Sequence, residues 1–491
     1  MFRGDGVRLN RPFLPGTEEE YGADNSYWWP NGQNVGDTMP IRWNPRGQIS
    51  LILYFVKWTL ILCPLGGLIG SSCAFFLWSL DRVTELRWQN PWLLFLLPLS
   101  GVLVGWIYDK FGRGVEGGNN LIVEQIHQPG GGVPAKMAPL VLLGTLITHL
   151  FGGSAGREGT AVQMGGSIAS TLGRYFKTCD RDFRIILTAG VAAGFGAVFG
   201  TPLTGAVFAM EVLAIGRMSY EALIPCLIAS ISGDWVCGMW GISHTHYKVV
   251  LEPIHTSVLL LGKVALASVA FGMAGLAFAE LTHGVQFVCK KVKWPPLRPA
   301  IGALAVIGLV YLVGTRDYLG LGVKAPEGDH AVTILSSFEP GGARTWSWFW
   351  KIVFTCVTVG SGFKGGEVTP LFYIGATLGN TLAVLLRAPV DLFARLGFVA
   401  VFAGAANTPL ACAIMGVELF GSADTIYFAE ACFLAYLFSG HSGIYLSQRI
   451  GVSKYGANDL PPDSALRSAR QLQPSITTLF GATEKSNERK K

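Results

Sequence analysis

Two stretches of this chain, about 207 residues apart, break apolar sequence in the same way, and that doubled break constrains the fold more than any other feature. Gly200-Thr201-Pro202-Leu203 is followed by Glu211, and Asn407-Thr408-Pro409-Leu410 by Glu418, with the same spacing from threonine to glutamate. Upstream of each copy a Glu-x-Thr sits in a glycine cluster: Gly156-Arg157-Glu158-Gly159-Thr160 and Gly365-Gly366-Glu367-Val368-Thr369-Pro370. Paired halves that each interrupt apolar sequence with Gly, Pro and a carboxylate are the pattern of a site built at a repeat interface inside a membrane.

Composition sets the solvent. Half of the 491 residues are hydrophobic and 14% are charged, where a soluble domain carries about 25% charged residues. With a mean hydropathy of +0.41, the chain reads as an all-α integral membrane protein made of two internally repeated halves, approximately 50–240 and 257–450. Several apolar stretches, among them 185–214 and 396–420, do not match the roughly 20 residues of one clean span. Together with 63 glycines they predict helices that start or stop within the membrane, where protein or a water-filled path must satisfy the freed backbone.

Residues 1–46 read as a polar, turn-rich extension without the basic-then-apolar layout of a signal peptide. The membrane domain is expected over 47–450 and a cytoplasmic tail over 451–491. The net charge is +6, with basic residues in loops and at the C-terminus, which is a positive-inside pattern and gives no support for nucleic acid. The nine cysteines are scattered without a CxxC and read as core. His244, His246 and His255 lack a Cys or acidic partner at zinc spacing and read as a solvated loop. No cofactor fingerprint or metal cluster is legible.

Four segments carry chemistry. Gln128-Pro129-Gly130-Gly131-Gly132-Val133-Pro134 predicts a helix beginning near Val133-Pro134, whose unpaired amides and positive dipole end would attract an anion. Gly156-Arg157-Glu158-Gly159-Thr160 places a carboxylate where an anion is otherwise favoured, so that Glu158 competes with the ion and leaves when protonated. Gly360 to Pro370 opens a helix over 371–386 and again supplies free amides. Ser442-Gly443-Ile444-Tyr445 offers a phenol that can donate one hydrogen bond to a dehydrated anion.

On these segments the chain resembles the CLC family of chloride channels and proton-coupled anion antiporters. Gly130 to Pro134 is similar to the family's GSGIP segment, Gly156 to Thr160 to GREGP, and Gly366 to Pro370 to GxFxP. The departures matter: Gly131 stands for the serine of GSGIP, Thr160 for the proline of GREGP and Val368 for the aromatic of GxFxP. Gly366-Glu367-Val368-Thr369-Pro370 resembles instead the fluoride-exporting branch, in which a glutamate and a threonine enter the anion path. Val212 after Glu211 lacks the second glutamate that serves the inner proton route of chloride/proton exchangers.

The resemblance implies an inverted repeat, a homodimer in the plasma membrane with one path per subunit, and export of fluoride in exchange for protons. A chloride/proton antiporter or chloride channel is the alternative. It implies Glu158 and Glu367 for gating and proton coupling. For the anion it implies Gly131, Gly132, Val133, Gly159, Thr160, Glu367, Val368, Thr369 and Tyr445. Arg157 reads as structural, and Glu211 and Glu418 as symmetric ties between helix ends of the two halves. A membrane enzyme using paired acids lacks a nucleophile, and a receptor lacks an extramembrane ligand domain.

Overall fold

The structure, a computed structural model, describes residues 45–245, 247, 257–326, 330–455 and 463–472. The expected extension, His246, His255 and the basic C-terminal tail lie outside the described residues. The first half runs α1 (Pro45–Gln89), α2 (Leu97–Phe111), α3 (Asn119–His127), α4 (Met137–Leu150), α5 (Glu158–Tyr175), α6 (Asp180–Phe199), α7 (Pro202–Glu211) and α8 (Leu223–Met239). The second runs α9 (Val258–Lys290), α10 (Leu297–Val313), α11 (Ser347–Ser361), α12 (Val368–Leu386), α13 (Val390–Ala406), α14 (Pro409–Phe420) and α15 (Thr425–Phe438), and α16 (Leu466–Leu472) follows. The chain from Tyr54 onward is one compact unit, and residues 45–53 form the first turns of α1.

Among the described residues, six helices are long and apolar enough to cross a membrane, including α6, α9 and α12. The protein is a multi-pass membrane protein. The over-long apolar stretches resolve into pairs of shorter helices. Gly200 closes α6 in the left-handed conformation, φ +71°, and Pro202 opens α7 as one of its first residues. Asn407 closes α13 the same way, φ +58°, and Pro409 opens α14. The left-handed cap ends one helix, and proline, which lacks an N–H to satisfy, starts the next.

The doubled order continues through α5–α6–α7 and α12–α13–α14, and small residues let the paired helices close. Gly165 lies against Gly190 between α5 and α6, and Gly375 against Gly397 between α12 and α13; a Cβ at any of the four would meet the facing backbone or side chain. In lipid, where apolar helices gain little from mutual burial, such close backbone approach is a principal source of association. The Gly/Ala runs are therefore architecture.

The stretch that reads as a tail begins as part of the body. Arg449–Ile450 pairs in parallel with Ala214–Ile215, and Leu466 and Ala469 of α16 are buried with Ile215 and Ile450. Lys454 donates to Asn407 Oδ1 at 2.6 Å and to the Tyr436 carbonyl at 2.6 Å. These bonds pin the segment beneath the α13–α14 break.

Candidate functional site

The glycine clusters bring the two halves together backbone to backbone. Gly156 N–H donates to Gly366 C=O at 2.6 Å, and Gly366 N–H returns to Gly156 C=O at 2.7 Å, an isolated antiparallel bridge. This sets the starts of α5 and α12 beside one another. A Cβ on Gly366 would lie 2.8 Å from Gly159 N and 3.2 Å from Glu158 N, and one on Gly159 would lie 3.1 Å from both Gly366 Cα and Asn119 Nδ2. Only glycine allows three helix starts, α3, α5 and α12, to approach this closely.

Glu158 crosses from one half to the other. It is 1% exposed, and its carboxylate accepts the Thr369 hydroxyl at 2.5 Å, the Thr369 N–H at 3.1 Å and the Arg157 N–H at 3.1 Å. Arg157 Nε lies 3.6 Å from Oε1. The first amides of a helix have no acceptor within it, so the carboxylate occupies the anion position at the head of α12. A negative charge there is stabilised by about 0.3–2 kcal/mol, an interaction that protonation removes.

Glu367, at the corresponding place in the second half, does not reciprocate. Its carboxylate turns back on its own N–H, and it lies within electrostatic reach of Cys356 and Tyr445. Val368 is buried beside it in the first turn of α12. Tyr445 is buried, its ring centroid 6.5 Å from that of Phe208, and it feels the charges of both Glu367 and Glu158. With Asn119, Val162 and Phe208 it lines a cavity of about 20 Å³. That is enough for a single water-sized species, which takes about 10–15 Å³.

Two expectations need correction. No helix begins at Val133; α4 starts at Met137. Around Gly131, Gly132 and Val133 the backbone groups are already paired: Gly132 N–H with Gln125 Oε1 and Val133 N–H with Ser170 Oγ, both at 2.8 Å. Arg174 donates to the carbonyls of Gly131 and Val133, each at 2.9 Å. Ser170 stands twelve residues along α5 from Glu158, about 18 Å at 1.5 Å per residue, so these three residues lie well away from the Glu158 carboxylate. Thr160 is next to it but turned away, its hydroxyl 2.7 Å from that of Thr145.

The third helix start comes from a segment the sequence reading passed over. Gly118, φ +54°, precedes Asn119 at the head of α3. Asn119 Oδ1 is buried with no hydrogen-bond partner, and the side chain lines the small cavity under Tyr445. The signal was Gly117-Gly118 before two asparagines, residues that favour helix starts; the triple glycine at 130–132 was the louder feature.

Comparison with known proteins identifies the family and the fold. The profile of the family described as "Voltage gated chloride channel" matches residues 100–440. A "Chloride/fluoride channel protein" of Pseudomonas syringae pv. tomato is 47% identical over 450 residues, covering 90% of this chain and 96% of the relative. The crystal structure of a CLC-type fluoride/proton antiporter superposes with a TM-score of 0.75 at 34% identity, over 80% of this chain and 98% of that one. A slow cyanobacterial Cl−/H+ antiporter shares the fold, with a TM-score of 0.65 at 19% identity over 78% of this chain and 94% of that one.

Proposed function

The chain belongs to the voltage-gated chloride channel family, and from that premise we propose that it is a proton-coupled antiporter that exports fluoride in exchange for protons across the plasma membrane. The observation that carries the reading is Glu158 bound to the Thr369 hydroxyl and N–H at the start of α12. A carboxylate in that place excludes an anion while it is charged. Protonation weakens its hold on these donors, the side chain leaves, and the anion takes the vacated hydroxyl and amide. One proton and one anion then compete for the same position, which is the elementary requirement of exchange.

Selectivity for fluoride rests on Glu367 and Thr369. Fluoride is small and strongly hydrated, and a path that carries it must replace close donors. The Thr369 hydroxyl, the first amides of α12 and a protonated Glu367 supply such donors at short range, and Tyr445 adds a phenol below them. Asn119, with its amide group between Gly159 and the cavity, joins the site on the same ground. The relatives named for fluoride support the choice, and a homodimer with one path per subunit is part of the proposal.

The test is ion flux from proteoliposomes, measured for fluoride and chloride together with the accompanying proton movement. Fluoride efflux that drives proton uptake, faster than chloride efflux under equal gradients, is the expected result. Equal or faster chloride efflux overturns the selectivity, and flux without proton movement overturns the coupling.

A further inference from the structure

Apart from the helix starts, one cavity gathers positive charge. About 320 Å³ in volume, it is bounded by the last turns of α1, the loop leading into α5, the chain after α8 and the segments 316–326 and 331–333. Arg87, Arg157, Arg316 and Lys324 line it, against Asp81 and Asp317. Asp317 is committed elsewhere, accepting the Thr315 hydroxyl at 2.5 Å and the Val332 N–H at 3.3 Å, with Arg344 at 3.9 Å. Four cations therefore line the cavity against two carboxylates, Asp81 lying within electrostatic reach of Arg157 and Lys324, with Glu158 next to Arg157 beyond the wall.

Two of those cations each have a nitrogen short of a hydrogen bond. Arg87 Nη1 and Arg157 Nε are buried and have no hydrogen-bond partner. The Arg87 guanidinium packs on Gly320, φ +61°, where any Cβ would collide with it. Behind it the buried Lys351 donates to the carbonyls of Tyr318 and Gly320, at 3.1 and 2.8 Å, and lies within electrostatic reach of Arg87. Carbonyls supply hydrogen bonds but no countercharge. Grouped, partly dehydrated cations are costly without an anion among them.

We propose that this cavity is an antechamber that binds a small monovalent inorganic anion between Arg87 and Arg157, with Lys324 at its rim, and exchanges it with the path through Arg157. The proposal rests on the reading that anions pass Glu158. Arg157 touches both places: it lines the cavity, and its Nε lies 3.6 Å from Glu158 Oε1. When Glu158 leaves, the anion and the carboxylate have the same guanidinium to share. Guanidinium is weakly hydrated and offers several N–H groups, and a cavity of about 320 Å³ leaves room for water around a small ion. The antechamber therefore concentrates halides with little discrimination, and selection occurs deeper, at Thr369 and Glu367.

Bromide, visible by its anomalous scattering, is the probe for binding, and fluoride flux against fluoride concentration is the probe for use. Crystals of the wild-type protein grown in bromide should show an anomalous peak in the cavity within hydrogen-bond reach of Arg87 and Arg157. The peak should be lost in Arg87→Gln/Lys324→Gln, and the half-saturating fluoride concentration should rise severalfold on the side where the cavity opens. Lys324→Gln alone, at an exposed position, should show a smaller rise in the same direction if the double variant fails to fold. A wild-type cavity without bromide, or an unchanged half-saturation in the folded variants, overturns the antechamber while leaving fluoride exchange standing. A bromide peak in a protein that moves no fluoride would retain the anion site and sink the transport reading instead.

Discussion

Glutamates reach across the two halves of this molecule at two levels, and the levels differ in symmetry. At the α7–α14 level the exchange is mutual. Glu211, at the end of α7, accepts the N–H groups of Leu410 and Ala411 at 3.0 and 2.7 Å, while Glu418 of α14 accepts those of Leu203 and Thr204 at 2.9 and 2.7 Å. Each carboxylate closes the helix start of the opposite half. At the α5–α12 level only Glu158 crosses, to Thr369, while Glu367 folds back on its own amide. The same bond, a carboxylate on a foreign helix start, is a strut where it is returned. Where it is not, a single carboxylate joins the two helix starts, and its release would free the start of α12.

Breaking the unreciprocated bond should have the largest effect. Glu158→Gln removes the charge and the titration together, so fluoride accumulation driven by a proton gradient should disappear while passive fluoride flux persists. Proton-driven accumulation in liposomes containing this variant, at wild-type extent, would refute the role of Glu158. The next largest change is expected from Glu367→Ala and Thr369→Val, which remove the partner that does not cross and the hydroxyl that receives the one that does. Both should slow fluoride transport or alter the fluoride-to-proton ratio and still elute as well-folded protein. Thr369→Ser, which restores the hydroxyl, should recover much of the loss, whereas a purely steric role would leave serine as poor as valine.

The reciprocated pair should respond in stability and not in coupling. Glu211→Ala leaves the Leu410 and Ala411 amides without their acceptor, and unsatisfied buried donors cost about 1–3 kcal/mol. Glu418→Ala should cost less, because the Leu203 amide it frees is exposed; both are read as a lowered thermal midpoint in detergent with the proton ratio unchanged. A loss of coupling with stability intact would erase the distinction between the two levels. The smallest effect is expected from Asn119→Ala, which removes a side chain whose buried Oδ1 has no hydrogen-bond partner; it should shift the fluoride-over-chloride preference in flux without lowering the thermal midpoint.

Much of this was legible in the chain. The Thr–Pro–Leu–Glu repeat marked both broken helices, because a left-handed cap followed by proline acts locally, at Gly200-Pro202 and at Asn407-Pro409 alike. It also marked Glu211 and Glu418 as ties between the halves. The gated helix start was legible for a related reason: glycines beside a carboxylate make little sense in apolar sequence unless backbones approach and a charge has work there. The Gly130-to-Pro134 segment misled for want of partners, since no local rule shows that Gln125, Ser170 and Arg174 take up its polar groups.

What the sequence determined, then, is whatever depends on a residue and its near neighbours: apolar spans, the places where helices must stop and restart, and the doubling that makes two such places face one another. The tertiary structure decided the rest. It alone chose Asn119 over Gly131 for the third helix start, turned Thr160 toward Thr145 and Thr369 toward Glu158, and left Glu367 without a return bond. These outcomes depend on contacts between helices distant in sequence, where fractions of an ångström at Gly159 and Gly366 determine which donor meets which carboxylate.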